Sequence, residues 1–129
     1  MDSNLDFSTL GIDPKILASL EKFKITTPTP IQRKAIPVGL EGKDIIGIAQ
    51  TGTGKTIAFS VPIIQRLSKM NGTALIVLPT RELALQVEEA FRKYSHQFSL
   101  KSVVLIGGQS MGQQMRELRG NPRVVIGTP

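Results

Sequence analysis

Apolar positions recur at two different periods along the chain, and the change from one to the other divides it near Gly42. Before that point the spacing is helical. Asp13-Pro14 opens a helix in which Ile16, Leu17 and Leu20 make an apolar stripe ending near Phe23. Asp13 can cap it, and Pro14 suits the first turn because its φ is already helical and its missing N–H is not needed there. A turn follows at Thr26-Thr27-Pro28, and Thr29-Pro30-Ile31-Gln32 opens a second helix. Thr29 is its N-cap, Pro30 its first residue, and Gln32 stands where a capping box places its glutamine. Pro37 is expected to kink or end this helix. Residues 1–12 form an arm with one aromatic, Phe7, among polar residues and Leu5, Leu10 and Ile12.

After Gly42 short apolar runs alternate with amphipathic segments. Asp44 to Ile48 predicts a strand, and a helical pattern runs from Thr56 towards Lys69 with Pro62 as a local irregularity. Thr73 to Leu78 predicts a second strand. It feeds Pro79-Thr80-Arg81-Glu82 and a helix through Tyr94 with Leu83, Val87, Ala90 and Phe91 on one side. Ser102 to Ile106 predicts a third strand, followed by Gly107-Gly108 and a short helix carrying Met111, Met115 and Leu118, with Ser110 and Gln113 placed as a capping box. Arg123 to Ile126 predicts the last strand before Gly127-Thr128-Pro129. Continuous apolar strands between amphipathic helices indicate an α/β fold, a parallel sheet with helices on both faces. Ligands of such sheets bind beyond the carboxyl ends of the strands, so four loops are expected on one rim: the segment after Ile48, Pro79 to Glu82, Gly107-Gly108 and Thr128-Pro129.

The loop after the first predicted strand carries the most specific chemistry. Ala49-Gln50-Thr51-Gly52-Thr53-Gly54-Lys55-Thr56 fits Gly-x-x-x-x-Gly-Lys-Ser/Thr except at its first position, where Ala49 replaces glycine. Such a loop turns successive backbone N–H groups inward, the helix N-terminus adds partial positive charge, Lys55 can reach the outer phosphates of a nucleotide, and Thr56 can place its hydroxyl on Mg²⁺. The plain alternative is a flexible Gly/Thr turn between a strand and a helix.

Composition narrows the class. A chain of 129 residues with 40% apolar and 20% charged residues fits one domain that buries about two-thirds of its unfolded surface. The longest apolar runs are strand-sized, Met1-Asp2-Ser3-Asn4 lacks the features of a signal peptide, and a cytoplasmic protein with no membrane span is expected. Without cysteine, and with His96 the single histidine, neither a disulfide framework nor a thiolate or imidazole metal site is available. A nucleotide-bound Mg²⁺ needs neither. The net charge of +6 suits a polyanionic partner, yet residues 1–80 and 81–129 contribute +3 each, so no basic tail exists.

Taken together these residues resemble the DEAD-box ATP-dependent RNA helicases. Pro28 to Gln32 with the upstream Phe7 resembles the Q motif, Ala49 to Thr56 motif I, Pro79 to Ala84 motif Ia, Gly107-Gly108 the GG motif, and Thr128-Pro129 the start of motif Ib, in the family's order. The family's motif I also tolerates alanine first. The resemblance implies a RecA-like domain that binds ATP and Mg²⁺ through Ala49, Gln50, Thr51, Gly52, Thr53, Gly54, Lys55 and Thr56, with Lys55 and Thr56 serving catalysis. Gln32 would read adenine through its amide and Phe7 would stack on the base. Their alternatives are the capping box for Gln32 and an apolar anchor for Phe7. The family usually has Gly-Phe four and three residues before Pro28, where this chain has Lys24 and Ile25, so Phe23 could partly replace the missing ring.

By the same resemblance Pro79, Thr80, Arg81, Glu82, Gly107, Gly108, Thr128 and Pro129 would form a track for single-stranded RNA or one strand of an RNA duplex. Without it, Thr80 reads as an ordinary N-cap and Gly107-Gly108 as an ordinary turn. Glu82 reads as a structural pairing residue, and Lys15, Lys22, Arg92 and Lys93 as solvated helix faces. The expected organisation is a partial first RecA-like domain over residues 1–129, with the Q-motif segment at about 5–33.

The family's acidic Asp-Glu-Ala-Asp motif, its Ser-Ala-Thr motif and its second domain have no counterpart in these residues, so nucleotide binding with little turnover is expected of the chain alone. In the family the strands bearing those motifs lie between the phosphate-loop strand and the rest of the sheet. A gap there is expected to leave edges that drive self-association. The second reading is a non-catalytic RNA- or partner-binding module with a vestigial nucleotide site. A P-loop kinase or GTPase fits poorly, because a guanine-reading loop and an acceptor-activating carboxylate are both absent.

Overall fold

A computed structural model describes residues 6–50, 52 and 54–129. The chain divides into two compact units, residues 1–66 and 67–129. The first is helical. A 3-10 turn, Phe7–Thr9, is capped by Asp6, whose carboxylate accepts the Ser8 N–H at 3.0 Å. Helices α1 (Pro14–Lys22) and α2 (Pro30–Leu40) follow. Of the expected stripe Ile16 and Leu20 are buried and Leu17 is half-buried; Phe7 and Ile12 of the arm and Ala35 and Ile36 of α2 are buried as well.

Helix α1 ends in a Schellman motif. Ile25 N–H donates to Leu20 O at 2.8 Å and Lys24 N–H to Glu21 O at 2.9 Å. The motif needs a left-handed residue at its bend, and Lys24 supplies it at φ 62°. Glycine is the usual residue there, which gives a backbone reason for the glycine that the resembling pattern has at this position.

Helix α2 runs three residues past Pro37, so the expectation that Pro37 ends it is not met. The proline sits within the last turn, and the chain closes the helix behind it through Glu41 N–H to Pro37 O at 3.3 Å and Gly42 N–H to Gly39 O at 3.0 Å. Gly39 is required for a different reason. A Cβ there would lie 2.9 Å from Cγ of Pro62, a residue of α3 (Lys55–Lys69), so the two helices approach closely at that point.

The apolar run at Asp44 to Ile48 forms no strand. Residues 43–50 carry no regular structure, and Ile46 and Ile48 are 93% and 91% exposed. A strand exists only in a ladder, and the described residues offer this segment no neighbour to bond.

The second unit holds the sheet. Strands β1 (Ala74–Val77), β2 (Ser102–Leu105) and β3 (Val124–Gly127) pair in parallel in the order β1-β3-β2. Ala74 and Ser102 both lie opposite Val124. Helices α4 (Arg81–Ser95) and α5 (Met111–Arg119) make the two crossovers. Right-handed connections of this order put α4 and α5 on opposite faces. Glu88 of α4 accepts from Ser102 Oγ at 2.7 Å, which fixes the face that α4 covers.

Of the expected α4 stripe Val87 and Phe91 are buried and Leu83 and Ala90 half-buried, with Ala84 buried beside them; Val124 and Ile126 of β3 are fully buried. The stripe of α5 is not: Met111, Met115 and Leu118 are all exposed. Its expected capping box is half formed. Ser110 Oγ accepts the Gln113 N–H at 3.2 Å, but the Gln113 amide donates to Glu117 at 3.3 Å instead of folding back.

Candidate functional site

The phosphate loop turns on two glycines in the left-handed region, Gly52 at φ 82° and Gly54 at φ 84°. Each is needed for its own reason. At Gly52 the left-handed φ alone is the reason, since nothing lies within 4 Å of where a Cβ would stand. At Gly54 a Cβ would run into the Gln32 amide. Lys55 opens the 15-residue α3 and is exposed, and Thr56 is half-buried in its first turn. The helix N-terminus and the Lys55 ammonium thus gather positive charge on one short segment. Ala49 is half-buried and Gln50 exposed. Thr51 and Thr53 lie outside the described residues.

Gln32 is 2% exposed and joins two elements. Its Oε1 accepts the Thr29 N–H at 2.9 Å, one half of the predicted capping box, and its Nε2 donates to Gly54 O of the phosphate loop at 3.1 Å. One amide N–H and one Oε1 lone pair remain, the pair of groups that a donor-acceptor base edge requires. Thr29 Oγ1 is buried beside them and faces the Gln32 backbone N–H, the other half of the predicted capping box. These residues fit a purine nucleotide. Phe7 is 4% exposed.

The remaining motif residues meet in the second unit, at the carboxyl ends of the strands. Thr80 Oγ1 caps α4 by accepting the Leu83 N–H at 3.1 Å. The adjacent Arg81 reaches across to Gly107 O at 3.3 Å. Gly108 is at φ 81°, and a Cβ on it would collide with the Arg81 guanidinium. Thr128 N–H donates to Leu105 O at 3.2 Å, and Leu78 N–H to Gly127 O at 2.9 Å. Pro79–Arg81, Gly107-Gly108 and Thr128-Pro129 are therefore brought to one end of the sheet. Glu82 is exposed in the first turn of α4, with no ion-pair partner among the described residues, where its charge suits the helix dipole.

Three structural residues carry no local signal in the sequence. Gln65 of α3 accepts the Asp13 N–H at 2.8 Å and donates to Gly11 O at 3.0 Å, holding the entry to α1. Asp13 itself makes no side-chain cap bond to that helix. Arg123 donates to Leu67 O at 3.1 Å, Met70 O at 2.7 Å and Gly72 O at 2.8 Å, closing the end of α3 with a cation. Gln114 donates to Ile106 O at 2.8 Å beyond β2. All but the last span more than fifty residues of sequence.

A glycine-hinged loop that delivers Lys-Thr to the start of a long helix, in a chain that also builds a parallel α/β sheet, defines a phosphate-binding protein of the P-loop class. Within that class the chain belongs to the DEAD/DEAH box helicase family, whose model matches residues 29–129. It is 48% identical over 125 residues to the ATP-dependent RNA helicase CshA of Listeria monocytogenes, which covers 95% of this chain and 24% of that protein. The ATP-dependent rRNA helicase RRP3 of Lodderomyces elongisporus is also 48% identical over 125 residues, covering 95% and 25%. Among solved structures, a DEAD box protein from the hyperthermophile Methanococcus jannaschii matches with a TM-score of 0.89 at 35% identity, covering 97% of this chain and 35% of that one. The RNA helicase Prp28 from Chaetomium thermophilum bound to ADP matches with a TM-score of 0.85 at 37% identity, covering 96% and 32%. These structures carry RecA-like folds, as the sheet and its crossovers imply. The chain spans about a quarter of the length of the curated relatives it matches. Among the described residues no helix is long and apolar enough to cross a membrane.

Proposed function

We propose that this chain is the ATP-binding and RNA-binding portion of an ATP-dependent RNA helicase, a partial first RecA-like domain whose Q-motif segment lies at about 5–33. The observation that carries the reading is the bond from Gln32 Nε2 to Gly54 O, which ties the candidate adenine reader to the phosphate loop. In this reading the loop N–H groups and Lys55 hold the phosphates of ATP, Thr56 holds Mg²⁺, and the free N–H and lone pair of Gln32 select adenine. Mg²⁺ neutralises phosphate charge when bound. Arg81 and the backbone at Gly107-Gly108, with Thr80 and Thr128, contact the phosphates of single-stranded RNA or of one strand of a duplex without reading sequence. A cytoplasmic site of action belongs to the same reading.

The unpaired segment 43–50 favours a second reading. A phosphate loop whose leading segment has no ladder is less pre-organised, so the chain alone would serve as a non-catalytic RNA- or partner-binding module. Titration of ATP by calorimetry, with and without poly-uridine, decides between them. The first reading expects ATP binding that Lys55→Ala abolishes while circular dichroism stays unchanged, because Lys55 is exposed. RNA binding indifferent to nucleotide, with ATP affinity unaltered in the variant, would select the second.

A further inference from the structure

Among the described residues no strand pairs with the outer edge of β2. The parallel register, with Val124 N–H on Lys101 O at 3.1 Å and Thr128 N–H on Leu105 O at 3.2 Å, turns the backbone of odd-numbered residues towards β3. The N–H and C=O of Ser102 and Val104 therefore point away from the sheet. The next outward carbonyl, Ile106 O, is already closed by Gln114. Along this edge runs a groove of about 860 Å³ with one wall from α4 and the other from α5. Its size falls in the range of sites that enclose a ligand of several hundred daltons.

The charges in the groove are unequally committed. Glu88 is held by Arg92 at 3.0 Å and by Ser102 Oγ, so that carboxylate and that guanidinium neutralise each other. Lys101 and Arg116 line the groove with no ion-pair partner among the described residues, against one remaining acid, Glu117. The unit itself carries eight basic and four acidic residues, which steers an anionic partner towards it.

From the open edge and this charge balance we infer that the β2 groove binds an extended acidic peptide segment of a partner protein, added as a fourth strand beside β2. Main-chain bonds to Ser102 and Val104 supply affinity, and Lys101 and Arg116 select acidic side chains. A nucleic acid strand fits less well, because it offers no alternating N–H and C=O to an edge. This site is separate from the nucleotide and RNA residues and does not depend on their assignment.

The test is a nitrogen-15 NMR titration of the 129-residue chain with the peptide acetyl-Glu-Val-Thr-Val-Glu-amide, with amide exchange read at saturation. Exchange at Ser102 and Val104 should slow at least tenfold, and acetyl-Lys-Val-Thr-Val-Lys-amide should bind at least fivefold more weakly. The double variant Lys101→Glu/Arg116→Glu should lose the preference for the acidic peptide. Val104→Pro should abolish binding while leaving the Val103 and Leu105 amides protected, since its N–H serves only the outer edge. The inference is overturned by unchanged exchange at Ser102 and Val104 up to millimolar peptide, by protection appearing instead at Leu75 and Val77 on the opposite edge, by equal affinity for the lysine peptide, or by a uridine oligomer protecting the same amides.

Discussion

Gln32 answers to two demands at once, and only one of them is local. Its bond to Thr29 N–H follows from the spacing Thr-x-x-Gln and is legible in the sequence. Its bond to Gly54 O crosses 22 residues and rests on the fold. The same contrast holds at Gly108. The sequence marks Gly107-Gly108 as a turn, but the second residue is glycine because its φ of 81° is left-handed, and a Cβ there would also push aside the Arg81 guanidinium. Gly108→Ala should therefore cost about 1–2 kcal/mol from its left-handed φ alone, and should also displace Arg81 from Gly107 O. Urea denaturation reads the first effect. Poly-uridine affinity reads the second, and in the proposed function it falls several-fold while ATP affinity stays constant.

At the scale of elements, helices were easier to read than strands because their signals are local. Caps at Thr29, Thr80 and Ser110 and the apolar spacing of α1, α2 and α4 all lie within one or two turns. The run at Asp44 to Ile48 carries three isoleucines with a glycine among them, and β1 is wholly apolar, yet what separates them in the structure is that only β1 has a ladder to join. Partners decide strands, and they are distant in sequence. The stripe of α5 is a related case, since the spacing of Met111, Met115 and Leu118 is right but nothing among the described residues covers it. The end of α1 gives a prediction at this scale. Lys24 holds the left-handed bend of a Schellman motif, so Lys24→Gly should stabilise the chain by about 0.5–1 kcal/mol after the greater freedom of glycine in the unfolded state is subtracted. A urea midpoint that falls in the variant would show that Lys24 contributes a contact outweighing the backbone strain.

At the scale of the whole molecule, part of the exposed apolar surface sits beside backbone that lacks a ladder partner among the described residues. Ile46 and Ile48 project from an unpaired stretch, and on the edge strand β1 Leu75 and Val77 are 70% and 59% exposed. Unpaired N–H and C=O groups beside apolar side chains are a template for pairing with another chain. The chain is accordingly expected to self-associate at micromolar concentration, and sedimentation velocity showing a stable monomer there would contradict this. The groove along β2 was not legible in the sequence, because it depends on which backbone groups a parallel register turns outward.

The proposed function rests on an adenine-selective nucleotide site built from Gln32, Gly54, Lys55 and Thr56. Calorimetric titration of the unmodified chain with ATP and with GTP, each in the presence of Mg²⁺, tests it most directly. Binding of ATP with GTP at least tenfold weaker, a difference of about 1.4 kcal/mol or more, is the predicted result. Equal affinity for the two nucleotides, or binding of neither, would contradict it.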